Sequence, residues 1–181
     1  MSEKKIERTF VFVKDVEQSS ASQLLDLIIR VNEEDNEREE KEKNFERKPI
    51  KIYINSYGGN IYDGFLIVSA IQSSKTPIHS YVHGYVMSMG LLIAASAHKR
   101  FASKISTFMY HQLSSGAIGG LEWMKNKIEE SERAMVLYDD LLLSVTDIRR
   151  DELLGVRKSQ VNWYITPDEA KKLRLFDEYI G

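Results

Sequence analysis

The sequence predicts an α/β protein built on a parallel sheet. Short runs rich in β-branched and aromatic residues recur at 9–13, 49–55, 78–85 and 101–110. Between them lie segments whose apolar residues are spaced three and four apart. Strands joined through helices run parallel, whereas an antiparallel pair needs only a tight turn. The expected order is therefore β-α-β-α-β-α-β, followed by a long helix.

Thr9-Phe10-Val11-Phe12-Val13 reads as a buried strand. The next helix takes Ser20 as N-cap, with Gln23 at capping-box spacing. Ala21, Leu24, Leu25, Ile28 and Ile29 form its apolar stripe. Residues 33–48 hold eight acids and five bases, with Phe45 their one large apolar residue. They read as a solvated helix extension or loop on the surface. Residues 49–55 alternate apolar with polar or aromatic and form a strand. Ser56-Tyr57-Gly58-Gly59-Asn60 is a turn. Ile61, Phe65, Val68 and Ile71 have helical spacing, and Lys75-Thr76-Pro77 ends that helix. The strand at 78–85 leads into a small, apolar, buried helix at 87–97, and 101–110 returns to strand.

A glycine-containing loop, residues 114–120, precedes the long helix. Leu121, Met124, Ile128, Met135, Tyr138, Leu142 and Val145 form its stripe. That stripe suits core packing, and a helix this long also suits projection from the domain for oligomerisation. Thr166, Pro167 and Glu169 supply N-cap, N1 and N3 of a further helix. Residues 175–180 read as a short closing strand.

A chain of 181 residues fits one domain, 1–181, with a full core. It has no cysteine, so disulfides, thiolate metal sites and a cysteine nucleophile are excluded. A net charge of −2 argues against general attraction to nucleic acid or to an anionic membrane. The charged first residues do not read as a secretory signal, and the apolar runs are too interrupted for a bilayer span. The expected location is the cytoplasm.

Two turns stand where open parallel sheets bind ligands, at the carboxyl ends of strands. One is Asn55-Ser56-Tyr57-Gly58-Gly59; the other is Gly84-Tyr85-Val86-Met87-Ser88-Met89-Gly90. A serine at a helix start meets free backbone N–H groups that suit a developing oxyanion. Gly58 and Gly59 bring another N–H within reach. A serine there is by itself more often a plain cap. There is no Gly-x-x-x-x-Gly-Lys-Ser/Thr pattern and no His-Glu-x-x-His spacing. Of the four histidines, His79 and His83 lie on the strand leading to Ser88, and His98 ends the helix after it. His111 ends the next strand at the same sheet edge as Ser88, where a general base is needed.

These residues resemble the ClpP family, the proteolytic subunits of the caseinolytic ATP-dependent serine protease. The resemblance runs from about Arg8 to the C-terminus. It rests on Tyr53-Ile54-Asn55-Ser56-Tyr57-Gly58-Gly59, Ser88-Met89-Gly90, Met109-Tyr110-His111-Gln112, and Tyr164-Ile165-Thr166 through Glu169-Ala170, in family order and near-family spacing. It implies the ClpP/crotonase-like fold with a projecting long helix. It also implies hydrolysis of unfolded polypeptides through an acyl-enzyme, with Ser88 as nucleophile and His111 as base. Gly59 and Met89 N–H groups would form the oxyanion hole, and Gly58 and Gly59 would line the substrate. No metal or cofactor is implied. Two stacked heptameric rings would enclose the sites, with the helix from Leu121 to Val145 between them, and a hexameric AAA+ unfoldase would feed them.

The sequence departs from the family in three places. Asn162 stands where aspartate is usual. It can accept the His111 Nδ1–H but cannot stabilise an imidazolium by charge. A working Ser-His-Asn triad, rescue by a carboxylate such as Asp168, and a weakly active subunit all follow from this; the first is favoured. Tyr57 replaces a usual proline. Family members usually carry an axial loop and a first helix before the first strand, which help engage the unfoldase; eight residues precede Thr9 here, which argues against that partnership. The competing readings are a structural or regulatory ring subunit, a processing peptidase of a virus or mobile element, and a crotonase-like acyl-CoA enzyme. The Ser88–His111 pairing argues against the last.

Overall fold

The computed structural model describes residues 7–114, 116 and 118–181. Met1 to Ile6, and Ser115 and Ala117 of the expected glycine loop, lie outside the described residues. The elements in order are β1 (Thr9–Phe12), α1 (Gln18–Lys41), β2 (Ile50–Ser56), α2 (Ile61–Ser73), β3 (Ile78–Met87), α3 (Met89–Ala95), β4 (Lys99–Ala102), β5 (Thr107–Tyr110), α4 (Leu121–Val145), α5 (Arg150–Ser159), β6 (Trp163–Ile165), α6 (Pro167–Lys172) and β7 (Glu178–Tyr179). The sheet runs β1-β2-β3-β4-β7 with parallel neighbours. β3 is long enough to pair β4 through His79 to Val82 and then β5 through Tyr85 to Met87. β5 adds β6 antiparallel. The predicted α/β parallel sheet is thus present.

Several elements differ from expectation. Residues 101–110 are two strands. Ser103 N–H and the Ser106 hydroxyl both donate to the Val82 carbonyl, and the Ser103 hydroxyl donates to that of His83. Those bonds break the strand so that its two halves pair different parts of β3. The first strand is an edge strand with Phe12 buried and Val11 62% exposed, so it is not buried throughout. α1 begins earlier than Ser20: Glu17 is its N-cap and Ser20 its N3 residue, in a reciprocal box. Its buried stripe is Ala21, Leu24, Leu27, Ile28 and Val31, with Ile29 exposed. α5 and β6 appear where no element was expected.

The charged stretch 33–48 continues α1 to Lys41 and then forms a loop. Asp35 departs from its surface character, being fully buried. Arg8 Nη1 and Nη2 donate to it at 2.8 and 2.5 Å, and the Thr76 hydroxyl at 2.6 Å. Burial pushes this carboxyl up, but the Arg8 and Thr76 hydrogen bonds outweigh burial and hold it below its usual value. The trio ties α1, the entry to β1 and the approach to β3. Asp35→Ala is expected to cost about 3 kcal/mol, because it strands a poorly solvated guanidinium. The measurement is the unfolding midpoint in urea; a change below about 1 kcal/mol would mark the pair as dispensable.

α3 is buried along its whole length and packs on β2, β3 and β5. α4 is two-sided along its axis. Ala134, Met135, Tyr138, Asp139 and Leu142 are buried, while Leu121, Trp123 and Ile128 in its first half are 64%, 47% and 57% exposed. The first half therefore stands clear of the core, as a projecting helix would. No helix among the described residues is long and apolar enough to cross a membrane.

Candidate functional site

Ser88 lies between β3 and α3, where the sheet divides between β4 and β5. It is the N-cap of α3, yet its side chain makes no cap bond. Its backbone has φ 51° and ψ −126°, a region that residues with a Cβ hold only under constraint. In this conformation the hydroxyl reaches across to β5, where Ser88 Oγ and His111 Nε2 are 2.9 Å apart. The Ser88 N–H donates to the Met109 carbonyl at 2.9 Å, locking the two strands together at this point.

The glycine turn closes against the same spot. Gly58 and Gly59 have φ 103° and 144°. A Cβ on Gly58 would stand 2.7 Å from the Ser88 Cβ, so only glycine permits this approach. Val16 N–H donates to the Gly58 carbonyl and Asn60 N–H to the Val16 carbonyl, each at 2.7 Å. Those bonds hold the turn and leave the Gly59 N–H outside the ladder. Met89 is the first residue of α3, so its N–H has no acceptor within the helix. Gly59 and Met89, the residues expected to supply the oxyanion donors, line the same small cleft as Ser88 and His111.

The His111 imidazole is half-buried, and burial alone lowers its pKa from the ordinary histidine value. It is therefore neutral near pH 7, the form in which Nε2 can accept a proton. Asn162 immediately precedes Trp163, which pairs antiparallel with Tyr110, the residue before His111. The Asn162 side chain is exposed, beside an open hollow of about 400 Å³ lined with Val156 and Trp163. Among the described residues, no hydrogen bond joins Asn162 to His111. Asp168 is not brought to His111 either; it accepts from the Tyr179 hydroxyl at 2.7 Å. The other histidines are elsewhere. His98 Nδ1 accepts from the Ile78 N–H, His83 stacks on Tyr53, and His79 packs by Phe101.

Beside Ser88 a tight cleft of about 20 Å³ is walled by Ile61, Met89, Leu113, Met135 and Tyr138. It is apolar and adjoins both Ser88 and His111. The sequence reading missed these walls, because Met135 and Tyr138 belong to a stripe that spacing alone assigns to the core. The Tyr138 hydroxyl donates to the Ser88 carbonyl at 2.8 Å. Among the described residues, no group of three or more His, Asp and Glu side chains is placed to hold a metal.

Fold and site together define an α/β protein with a serine–histidine pair beside a glycine turn at the carboxyl edge of a parallel sheet. The chain matches the family model "Clp protease" over residues 4–181, and it belongs to that family. It is 32% identical over 133 residues to the ATP-dependent Clp protease proteolytic subunit of Deinococcus radiodurans, covering 72% of this chain and 64% of that protein. It is also 32% identical over 133 residues to ATP-dependent Clp protease proteolytic subunit 1 of Prochlorococcus marinus subsp. pastoris, covering 72% of this chain and 66% of that protein. The match therefore spans just under two thirds of each relative's length.

Proposed function

We propose that the protein is a serine endopeptidase that hydrolyses unfolded polypeptides inside a ring-shaped chamber. The observation that carries this reading is the 2.9 Å contact between Ser88 Oγ and His111 Nε2, made from a strained backbone at a helix start. His111 takes the Ser88 proton as Oγ attacks a peptide carbonyl carbon. The oxyanion is held by the Gly59 and Met89 N–H groups. His111 then protonates the leaving amine, the C–N bond breaks, and water repeats the sequence to release the acid and restore Ser88.

Asn162 serves as third member of the triad by this reading, turning on binding to accept the His111 Nδ1–H. Asn162→Asp is expected to preserve or raise kcat/KM. A carboxylate opposite His111 stabilises the imidazolium, recovering part of the roughly 10⁴-fold that separates aspartate from asparagine in such a triad. The pH profile gives the sign. In the unaltered protein, activity falls only when acid protonates a base whose pKa burial has lowered, so the acid limb lies below the ordinary histidine range. In Asn162→Asp the limb moves up. A folded variant with clearly lower activity would sink this assignment.

The exposed apolar first half of α4 supports a homo-oligomer; the family resemblance makes this two stacked heptameric rings, with α4 between them. The relatives are named as subunits of an ATP-dependent protease, which supports an AAA+ unfoldase as partner. The deciding experiment is fluorophosphonate labelling of the assembled protein with peptide mapping. An adduct on Ser88 is expected. A folded, assembled protein without one overturns the peptidase reading and leaves a ring subunit kept for structure.

A further inference from the structure

We propose that Tyr138 is a positioning residue for this reaction: its hydroxyl, by bonding the Ser88 carbonyl, holds the Ser88 backbone where its side chain meets His111. The proposal rests on the peptidase reading above.

The Ser88 backbone is held from outside its turn at both ends: its N–H donates to the Met109 carbonyl at 2.9 Å, and its carbonyl accepts from Tyr138. The Ser88 carbonyl also accepts from Leu91 and Leu92 N–H at 3.0 and 3.4 Å. An N-cap in ordinary extended backbone makes the same bonds, so they do not select φ 51°. The Tyr138 hydroxyl, at 2.8 Å, reaches the same carbonyl from a different element. It fixes the direction of the peptide plane between Ser88 and Met89, whose N–H is one of the proposed oxyanion donors. Tyr138 is buried, and burial and then the Asp139 charge raise its pKa, so the hydroxyl remains a donor across the working pH range.

The anchor itself is rigid. Asp139, the next residue, accepts from the Tyr110 hydroxyl at 2.7 Å and from Arg157 Nη1 at 3.0 Å. Tyr110 immediately precedes His111. Adjacent residues on one turn of α4 therefore grip the turn that carries the serine and the strand that carries the base. The serine turn and the strand before His111 are thus both tied to α4, while among the described residues neither Asn162 nor Asp168 bonds His111.

Tyr138→Phe removes the hydroxyl and keeps the ring that packs in the core. Four readouts are taken on the assembled protein: the fluorophosphonate rate at Ser88, kcat and KM on a fluorogenic peptide, the melting temperature, and a crystal structure. Labelling rate and kcat are expected to fall about 10- to 100-fold with KM and melting temperature nearly unchanged. The crystal structure is expected to show the Ser88 backbone relaxed and Oγ withdrawn from His111. Wild-type labelling with an unaltered Ser88 overturns the proposal, as does a parallel loss of kcat, KM and assembly, which would mean packing alone. If the unaltered protein neither labels nor cleaves, the peptidase reading fails. The crystal structure then decides the positioning claim separately: a Ser88 φ still near 51° in the variant overturns it, and a relaxed one upholds it.

Discussion

His111→Ala is expected to lower peptide hydrolysis on the order of 10⁶-fold and to abolish Ser88 labelling. The magnitude follows from the way the two side chains act as a unit. Ser88 Oγ is a poor nucleophile at its own pKa, and its one side-chain partner among the described residues is His111 Nε2. Without that base the proton has no acceptor in the cleft. The fold should survive, because His111 is half-exposed and packs at the end of β5 rather than within the core. Ser88→Ala should cost about as much, and the double variant no more than either alone. Losses that multiply in the double variant would show the pair acting independently, against a shared proton transfer. Any residual rate in the three variants measures what the backbone donors and substrate binding contribute by themselves.

The parts of this molecule legible in its sequence are those set by local chemistry. The long helix was bounded correctly at Leu121 and Val145 because its apolar period is sustained. α6 was found because Thr166 accepts from the Glu169 N–H and Glu169 from the Thr166 N–H, as its capping residues foretell. α5 escaped because Leu153 is its one buried residue, which leaves no stripe to read, and its N-cap is an arginine. The division of β4 from β5 escaped because it depends on serine bonds to carbonyls some twenty residues earlier. At the site, Ser88, His111 and the glycine pair were legible as residue types in a known order. The Tyr138 hydroxyl was not, since a tyrosine on an apolar stripe looks the same whether or not its oxygen has a task. That Asn162 makes no bond to His111 among the described residues was hidden as well, because sequence order says nothing of where an amide points.

Gly59→Ala is expected to lower kcat on the order of 10²- to 10³-fold, the cost of one displaced oxyanion donor. A backbone N–H cannot be deleted by changing a side chain, so it must be moved, and this position permits that. At φ 144° an added Cβ would stand 2.2 Å from the Val16 carbonyl oxygen and 2.9 Å from its nitrogen. Both are backbone atoms in the bridge that holds the turn, and neither can step aside as a flexible side chain would. The turn must rotate, carrying the Gly59 N–H away from Ser88 while the Ser88–His111 contact stays intact. The variant should therefore still label with fluorophosphonate, though slowly, and should show the loss in kcat more than in KM. Met89→Ala is the counterpart. The Met89 side chain is buried and fills the space beside Gly64, so truncation is expected to cost about 2–5 kcal/mol in stability. Its N–H remains at the start of α3, and the folded fraction should keep most of its kcat. One variant losing rate with its fold largely intact, and the other losing stability with its rate largely intact, would assign the oxyanion to the backbone. Because the Met89 side chain also walls the cleft beside Ser88, its loss is expected to show in KM rather than kcat; equal kcat losses in both variants would leave the donors untied to catalysis.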